Sequence, residues 1–392
     1  MAKRWYGMLG IGVVAALGAG PASAQYLVVG NDQKITWNDK GGVVVAPPDK
    51  DTVSIIDIKN GAAPKIVVSL PLQNSVFGPP TNLAITPDNA LALVANSVAA
   101  AQDNGVWKTP PDNKIYVIDL AAKPPAQVGT VEVGKQPSGM GISKAGDMAL
   151  VTNRADNSIS VLSIKGKDVK VTDTVTIGDG GPSAVAFLPD GKRALFTKPV
   201  VNKVGVLKID GGKVTYDKAW DINVGVFPYN LVIADGGKLA VTADNGAGGA
   251  SDGSVDTLSV IDLKGEHPHV VDKMVVDEAP EGIAVSPKGD LVIAVLLNAS
   301  AGIAKDAWFA RPRGRLAVFK VVSGRLVRAG AYVDVGKLPE GAAFSPDGRF
   351  FYVGNFVDHN LEIFKVDGDK LINAGKPLAL PGAPASVRSS SE

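Results

Sequence analysis

The stretch PEGAAFSPDGRFFYVGN, residues 339–355, decides the fold, because a close relative of it, PEGIAVSPKGDLVIAV, occupies residues 280–295. Each copy consists of a short apolar run, a turn that contains glycine, and a second apolar run. Two β-prone runs joined by such a turn predict a β-hairpin. Both copies also begin with Pro-Glu-Gly, which places a carboxylate at the start of each predicted hairpin.

Four further copies of this hairpin begin at Pro80, Pro137, Pro182 and Pro228. Each of the six is followed by an alternating run, such as KIYVIDL or SISVLSI, and then by a fourth run such as VTDTVTI. Units of four antiparallel strands that repeat every 45 to 59 residues are typical of the blades of a β-propeller. A β-helix is disfavoured because its rungs are shorter, and a β-sandwich because it does not repeat its turns.

The two ends of the chain together predict a seventh blade. Residues 27–31, 52–58 and 65–70 match the second, third and fourth strands of the other units, and the missing first strand appears around Pro384. We therefore expect an all-β fold over residues 25–388. It is a seven-bladed β-propeller of four-stranded antiparallel blades, and its last blade is closed by N- and C-terminal strands. Closure of this kind removes exposed sheet edges. Residues 389–392 are expected to form a disordered tail.

These units, which follow the pattern PxxxxxSPDGxxxYVxN and continue to a third strand ending VID, resemble the YVTN-type β-propeller repeat over nearly the whole mature chain. The resemblance extends to lactonase-type propellers and to the heavy chain of quinoprotein amine dehydrogenases. It implies the fold. Function is left open, because the recurring residues serve turns and packing and because propellers host unrelated activities.

The first 24 residues predict a secretory signal peptide. Lys3 and Arg4 precede an apolar run, and Ala22, Ser23 and Ala24 form an A-x-A cleavage site. We expect cleavage after Ala24 and a periplasmic or secreted protein with no membrane insertion. Cleavage leaves 38 basic and 39 acidic side chains, so the charge gives no reason to expect a nucleic-acid partner.

The chain contains no cysteine. This excludes covalent c-type haem attachment, thiol catalysis and thiolate metal sites. The sequence also lacks a P-loop, a dinucleotide fingerprint, H-E-x-x-H and G-x-S-x-G. We therefore expect no cofactor and no metal site.

In a propeller the first strand of each blade lines the central channel. We number blades one to six from the hairpins at Pro80, Pro137, Pro182, Pro228, Pro280 and Pro339, and the closing blade is blade seven. The loops that enter first strands and those that join second to third strands share one face, here called the top face.

Glu281 and Glu340 occupy the same position at the channel mouth in neighbouring blades, where the other blades carry Thr81, Ser138, Ser183, Tyr229 and Ala385. Two close carboxylates can share a proton or hold a cation. Alternatively, both face solvent or accept backbone hydrogen bonds.

Four of the loops between second and third strands are long, and three of these carry a tryptophan: Trp37 in blade seven, Trp107 in blade one and Trp308 in blade five. Long loops on a repeat scaffold are often functional. The three rings are expected to wall a pocket for a ligand or a protein partner, unless each only packs its own loop. Arg311 and Arg313, together with Lys108 and Arg154, are expected to attract an anionic group if they are not simply solvated. Further ligand-binding candidates are Tyr229, Asn82 and Asn230.

His359 is the one histidine placed to act as an acid or base at the top face, although a loop histidine beside Asp358 also suits a structural role. The leading hypothesis is a binding module whose partner is an unknown small molecule or a periplasmic protein. The alternative is a lactonase-like hydrolase with Glu281, Glu340, His359 and an arginine around a carbonyl group. A third hypothesis is a redox-partner propeller resembling the amine dehydrogenase heavy chain.

Overall fold

The computed structural model describes residues 1, 25–48, 50–248 and 250–390. The predicted signal peptide therefore lies outside the described residues, apart from Met1. The described chain forms seven four-stranded antiparallel blades, which confirms the predicted seven-bladed β-propeller. Each inner strand contacts the inner strand of the next blade, all the way round the ring.

The strands of each blade are given from the channel outward. Blade one comprises Leu83–Ile85, Leu91–Val98, Pro111–Asp119 and Ala126–Glu132. Blade two comprises Pro137–Ile142, Met148–Asn153, Ser158–Lys165 and Asp168–Thr176. Blade three comprises Val185–Phe187, Arg193–Lys198, Lys203–Asp210 and an outer strand in two pieces, Lys213–Tyr216 and Ile222–Asn223. Blade four comprises Pro228–Ala234, Leu239–Asp244, Asp256–Asp262 and His269–Val276.

The remaining blades follow the same order. Blade five comprises Pro280–Val285, Leu291–Leu296, Arg315–Val322 and the outer pieces Arg325–Arg328 and Val333–Asp334. Blade six comprises Pro339–Phe344, Phe350–Asn355, Asn360–Asp367 and the outer pieces Lys370–Asn373 and Leu378–Ala379. Blade seven comprises Ala383–Ser389, Tyr26–Asp32, Thr52–Asp57 and Lys65–Leu70.

Two small hairpins and three short 3-10 helices lie outside the four-stranded pattern. The hairpins are Ile35–Trp37 with Val43–Val45 and Ala101–Asp103 with Val106–Lys108. The 3-10 helices are Pro199–Val201, Lys218–Trp220 and Asp235–Gly237. Among the described residues, no helix has the length and apolar character needed to cross a bilayer.

Blade seven is closed by the two ends of the chain, as predicted. The C-terminal strand pairs antiparallel with the N-terminal one, from Leu27 opposite Ser389 to Asp32 opposite Ala383. The last strand therefore includes Ser389, one residue past the predicted end of the propeller at 388. This pairing joins the first and last parts of the ring in one sheet.

The core lies between neighbouring blades. The second strands are buried along almost their whole length, as in Leu239–Asp244 and Leu291–Leu296, because each blade is covered on both faces. The outer strands are largely exposed, as in Asp168–Thr176. This difference explains why the second strands are continuous apolar runs in the sequence.

The asparagine that ends many second strands has a structural role. Asn153 Nδ2 donates to Ser158 Oγ at 3.0 Å and to Ser160 Oγ at 2.9 Å, and Asn355 Nδ2 makes the same kind of bridge to Asn360 and Glu362. The amide thus ties the end of the second strand to the start of the third. Buried polar groups need such partners, which accounts for the recurring asparagine without a ligand.

The glycine after each glutamate is required by packing. A Cβ atom at Gly282 would overlap the backbone oxygen of Glu340, and one at Gly341 would overlap the backbone nitrogen of Val387. The inner strands of blades five, six and seven therefore approach each other too closely for a side chain at these two positions. The Pro-Glu-Gly motif consequently contains a glycine that the ring requires and a glutamate that it does not.

We expect the substitution Gly282→Ala to destabilise the protein by about 1 to 3 kcal/mol, the usual range for overpacking a closely packed site. Gly129→Ala is the matched control, because a Cβ there meets only the Val117 side chain at 3.8 Å. Chemical denaturation of both variants measures the effect. Equal stability of the two variants would contradict the close approach of the inner strands.

Candidate functional site

The two glutamates are presented by the same turn in neighbouring blades. The residue before the leading proline is left-handed in both, with φ of 53° at Ala279 and 48° at Leu338. Its carbonyl accepts a 3.0 Å hydrogen bond from the N–H of the residue that follows the second strand, Leu297 in blade five and Phe356 in blade six. A non-glycine residue in this conformation costs on the order of 1 kcal/mol and persists only where its surroundings fix it. The turn thereby fixes the direction in which each inner strand enters the channel.

Glu281 and Glu340 form a carboxyl pair at the mouth of the channel. Their exposed fractions are 5% and 2%, and the two side chains interact with each other through charge and hydrogen bonding. Burial argues against the predicted alternative of solvated side chains. Two carboxyl groups hydrogen-bond to each other only when one of them is protonated, so this contact requires at least one proton.

Burial is the main reason why both carboxyl groups keep their protons. It raises the pKa of Glu281 to about 8, although Arg154 and the hydrogen bond from Glu340 act in the opposite direction. Burial also raises the pKa of Glu340 well above its ordinary value, and the charge on Glu281 and the hydrogen bond to it act in the same direction. The environments of the two groups therefore differ, and Glu281 is the group that loses its proton first as the pH rises.

Arg154 and Tyr229 complete this group from two other blades. Arg154 lies in the short loop of blade two, and its guanidinium donates to the Tyr229 hydroxyl at 3.2 Å. The guanidinium carbon lies 5.3 Å from the centre of the Tyr229 ring. Burial raises the pKa of Tyr229 above its ordinary value, so this phenol stays protonated. The group thus combines two carboxyl groups, a guanidinium and a phenol.

The second feature of the top face is a cavity of about 500 Å³ over blade six, within the range of small-molecule sites. It is formed by the long loops of blades five and seven and by the short loop of blade six between them. The long loops meet there through an antiparallel bridge between Lys40 and Ala304 and through a 3.0 Å hydrogen bond from Lys305 N–H to the Asp39 carbonyl. The loop of blade six is short enough to fit beneath them.

Trp37 and Phe356 are the large aromatic rings of this cavity. Their ring centres are 5.7 Å apart and their planes meet at 72°, an edge-to-face contact. Gly302 lies against the indole, where a Cβ would come within 3.6 Å of Nε1, and its φ of 75° suits glycine. Trp37 is half-buried and is held by contacts on two sides, as a binding surface requires.

A buried lysine fixes the base of the blade-seven loop. The Lys34 side chain is 0% exposed and its Nζ lies 2.7 Å from Asp51 Oδ2 and 3.4 Å from Asp32 Oδ1. It also donates to the carbonyl of Asn74. Removing either partner of a buried ion pair is strongly destabilising, so this cluster holds the loop that carries Trp37 in one position. The sequence analysis did not identify it.

The other predicted site residues lie in several places. His359 lines the cavity with Trp37, and neither glutamate lines it. Trp107 lies in the Val106–Lys108 hairpin strand, and Trp308 is 80% exposed and packs edge-on against Phe309. Of the three tryptophans, Trp37 alone lines the cavity among the described residues. The structure therefore does not join their rings into one wall.

The predicted polar candidates divide in the same way. Asn230 Nδ2 donates to the Glu281 carbonyl at 3.3 Å, beside the carboxyl pair. Asn82 is buried and its Nδ2 donates to the Ser75 carbonyl at 3.4 Å. Arg311 and Arg313 are exposed on the blade-five loop and do not line the cavity. Of the predicted basic residues, Arg154 is the one that joins the channel mouth.

Comparison with solved structures shows the same architecture in other proteins. The periplasmic gluconolactonase of Pseudomonas aeruginosa is 18% identical with a TM-score of 0.69, covering 94% of this chain and 99% of its own. A Bacteroides fragilis protein named as a candidate 6-phosphogluconolactonase is 17% identical with a TM-score of 0.68, covering 94% and 98%. Hydrazine synthase of Kuenenia stuttgartiensis is 18% identical with a TM-score of 0.60, covering 81% and 91%.

No protein-family model matches the sequence, and no curated protein matches it. Membership of the YVTN-type repeat family therefore stays a prediction. At the identities given above, the likeness to solved structures shows the fold, a propeller shared with lactonase-like proteins and with hydrazine synthase.

The carboxyl pair makes stability depend on pH in a specific direction. A glutamate whose pKa is raised by folding carries no penalty below its unfolded pKa of about 4.3 and destabilises the fold as the pH rises from there towards the folded pKa. In Glu340→Gln the side-chain amide can still donate a hydrogen bond to Glu281, and residue 340 no longer has to stay protonated. We expect it to be more stable than wild type by roughly 1 to 3 kcal/mol at pH 8, with the difference shrinking towards pH 4.5.

Thermal unfolding of wild type and Glu340→Gln between pH 4.5 and 8 measures this difference. Glu132→Gln, on the exposed face of an outer strand, controls for the loss of one negative charge. A difference between wild type and Glu340→Gln that is the same at every pH rules out a retained proton.

Proposed function

We propose that this propeller is an exported binding protein that holds a small molecule in the cavity over blade six. The observation that carries the proposal is the cavity itself, about 500 Å³ in volume and lined by Trp37, Phe356 and His359. Small-molecule sites are mostly apolar, largely preformed and placed where loops of a scaffold meet. A volume of this size suits a small molecule better than a protein segment, so a protein partner is the less favoured occupant.

The construction of the site supports this proposal. The blade-five and blade-seven loops are joined by backbone hydrogen bonds, and the blade-seven loop is anchored by the buried Lys34 cluster. Both features hold the cavity open before a ligand arrives. Preformed sites lose less conformational entropy on binding, and this is the property expected of a binding protein.

Export to the periplasm is part of the proposal. It rests on the apolar N-terminal run with its A-x-A site and agrees with the periplasmic location named for the Pseudomonas aeruginosa propeller. Mass spectrometry of the chain from a periplasmic fraction checks this, and a mature N-terminus at Gln25 is expected. A chain that keeps residues 1–24 contradicts it.

The substitution Trp37→Ala is expected to lower the affinity for the ligand by at least about tenfold, since buried aromatic contacts at a site contribute about 2 kcal/mol or more to binding. The measurement is mass spectrometry of small molecules released on denaturing the full protein purified from its native source. Trp308→Ala is the matched control, because Trp308 does not line the cavity. Equal release from all three proteins, or none from wild type, contradicts the proposal.

A second candidate function is the hydrolysis of a lactone at the carboxyl pair. The observation that favours it is the difference between the two groups, since Arg154 lowers the pKa of Glu281 whereas Glu281 raises the pKa of Glu340. Once ionised, Glu281 accepts a proton from the water that attacks the lactone carbonyl, and Glu340 gives its proton to the ring oxygen as the ester bond breaks. Two of the structural neighbours carry lactonase names. It ranks second because the pair is almost fully buried, so the side chains around it must move before a substrate reaches it.

Hydrolysis of glucono-1,5-lactone tests this second function. If it holds, Glu281→Gln lowers kcat by about 100-fold or more, as the loss of a general base does, and His359→Asn, which changes a residue away from the pair, leaves kcat unchanged. Hydrolysis by wild type no faster than the uncatalysed reaction removes this candidate.

A further inference from the structure

The charged groups around the cavity indicate which class of molecule it takes. Among the described residues, three side chains that line it carry a fixed charge, namely Asp32, Lys305 and Lys337. His359 adds an imidazole at the same opening. The balance of these charges decides whether an acid, a base or a neutral molecule fits best.

The one lining carboxyl group is buried and has its hydrogen-bond partners within the protein. Asp32 is 0% exposed and its Oδ1 lies 3.4 Å from Lys34 Nζ. The same oxygen accepts hydrogen bonds from the N–H groups of Lys34 and Ile35, and its other oxygen accepts one from Val76. Burial raises the pKa of Asp32, and its two oxygens already accept three backbone hydrogen bonds, so this group offers little negative charge to a ligand.

The two lining lysines differ in their partners. Lys305 Nζ pairs with Asp39 Oδ1 at 2.7 Å, so its charge is shared. Lys337 Nζ has no hydrogen bond or ion pair with any residue in the described part of the chain. The neighbouring Asp358 turns its Oδ2 to the backbone N–H of Lys337 at 2.7 Å and does not line the cavity. Lys337 therefore remains the one lining charge without a counter-charge.

The apolar part of the cavity consists of two aromatic rings and several aliphatic side chains. Trp37 and Phe356 meet edge to face, and the aliphatic side chains of Ile35, Ile303 and Val357 complete the lining. The indole N–H of Trp37 has no acceptor among the residues that the structure describes, so it is a further free donor. An apolar wall with a cation and a donor at its edge complements a planar molecule that ends in an acidic group.

We propose that the cavity over blade six binds a planar, apolar molecule with a carboxylate group, in which the ring lies against Trp37 and the carboxylate is paired with Lys337. This inference rests on the proposed binding function and adds the chemical class of its ligand. Lys337 is exposed, so the polar contact sets the choice of ligand, and the aromatic contact supplies most of the binding free energy.

Three ring probes of nearly the same shape test the proposal with the full mature chain. 4-Fluorobenzoate is an anion, 4-fluorobenzamide is its neutral counterpart and 4-fluorobenzylamine is a cation, and ¹⁹F NMR measures their dissociation constants. We expect 4-fluorobenzoate to bind roughly threefold to fivefold more tightly than 4-fluorobenzamide, the size that a partly exposed ion pair gives. The cation is expected to bind most weakly.

Two variants separate the ring contact from the charge contact. Lys337→Met is expected to remove the preference for 4-fluorobenzoate while 4-fluorobenzamide still binds, and Trp37→Ala is expected to weaken all three probes by at least about tenfold. Lys365→Met, in an exposed position on the third strand of blade six, is the matched control and is expected to keep the preference.

The outcomes distinguish the inference from the proposed function. If 4-fluorobenzoate and 4-fluorobenzamide bind equally well, or if Lys337→Met leaves the preference unchanged, the inference of an acidic ligand is wrong. Binding that depends on Trp37 would still support the proposed binding function. If no probe binds in a manner that depends on Trp37, the binding function and the ligand class both fail.

Discussion

Antiparallel pairing between the two ends of the chain, Leu27–Asp32 against residues 383–389, is the constraint on which the rest of the propeller depends. A blade buries its middle strands only when it has a neighbour on each face, and a ring gives every blade two neighbours. The pairing in blade seven closes that ring, so each inner strand in the described part of the chain has a neighbouring inner strand on both sides. Closure also fixes the inner strands relative to one another, so residues from distant parts of the sequence are held together at the channel mouth.

The Pro-Glu-Gly motif separates into parts with different causes. The left-handed residue and the proline set the direction of the chain, and Gly282 and Gly341 allow neighbouring inner strands to approach closely. The fold does not require the glutamates, because five of the seven blades have another residue at this position. Two buried carboxyl groups destabilise a fold near neutral pH, and groups that a fold retains at a cost in stability are most often functional. The carboxyl pair is therefore a site that folding does not explain.

Much of this structure could be predicted from the sequence, because the spacing of the repeated hairpins gives the length and number of the blades. The blade number, the strand order and the closure through Pro384 were predicted from recurring hairpins, and the position of both glutamates at the mouth followed from the same alignment. Arg154 and Tyr229 were candidates from the sequence, but their contact with each other beside this pair was not predicted. Arg154 and Tyr229 lie in blades two and four, and only the closed ring brings the guanidinium to within 3.2 Å of the phenol.

The cavity over blade six was beyond the reach of the sequence for a related reason. Long loops and their tryptophans were visible, but the repeat does not specify how irregular loops cross. The bridge from Lys40 to Ala304 joins the two long loops where Trp37 lines the cavity, whereas Trp308 is exposed. Lys34 was missed because a lysine in a polar loop gives no sign that it will be fully buried between two aspartates.

The central claim is that the top face binds a small molecule between the loops of blades five, six and seven. A crystal structure of the protein purified from its native source tests this most directly, since the bound molecule is then the one the protein has selected. The account predicts electron density for a compact ligand against Trp37 and Phe356. Ligand density at the carboxyl pair of Glu281 and Glu340, with water alone in the cavity over blade six, would contradict it.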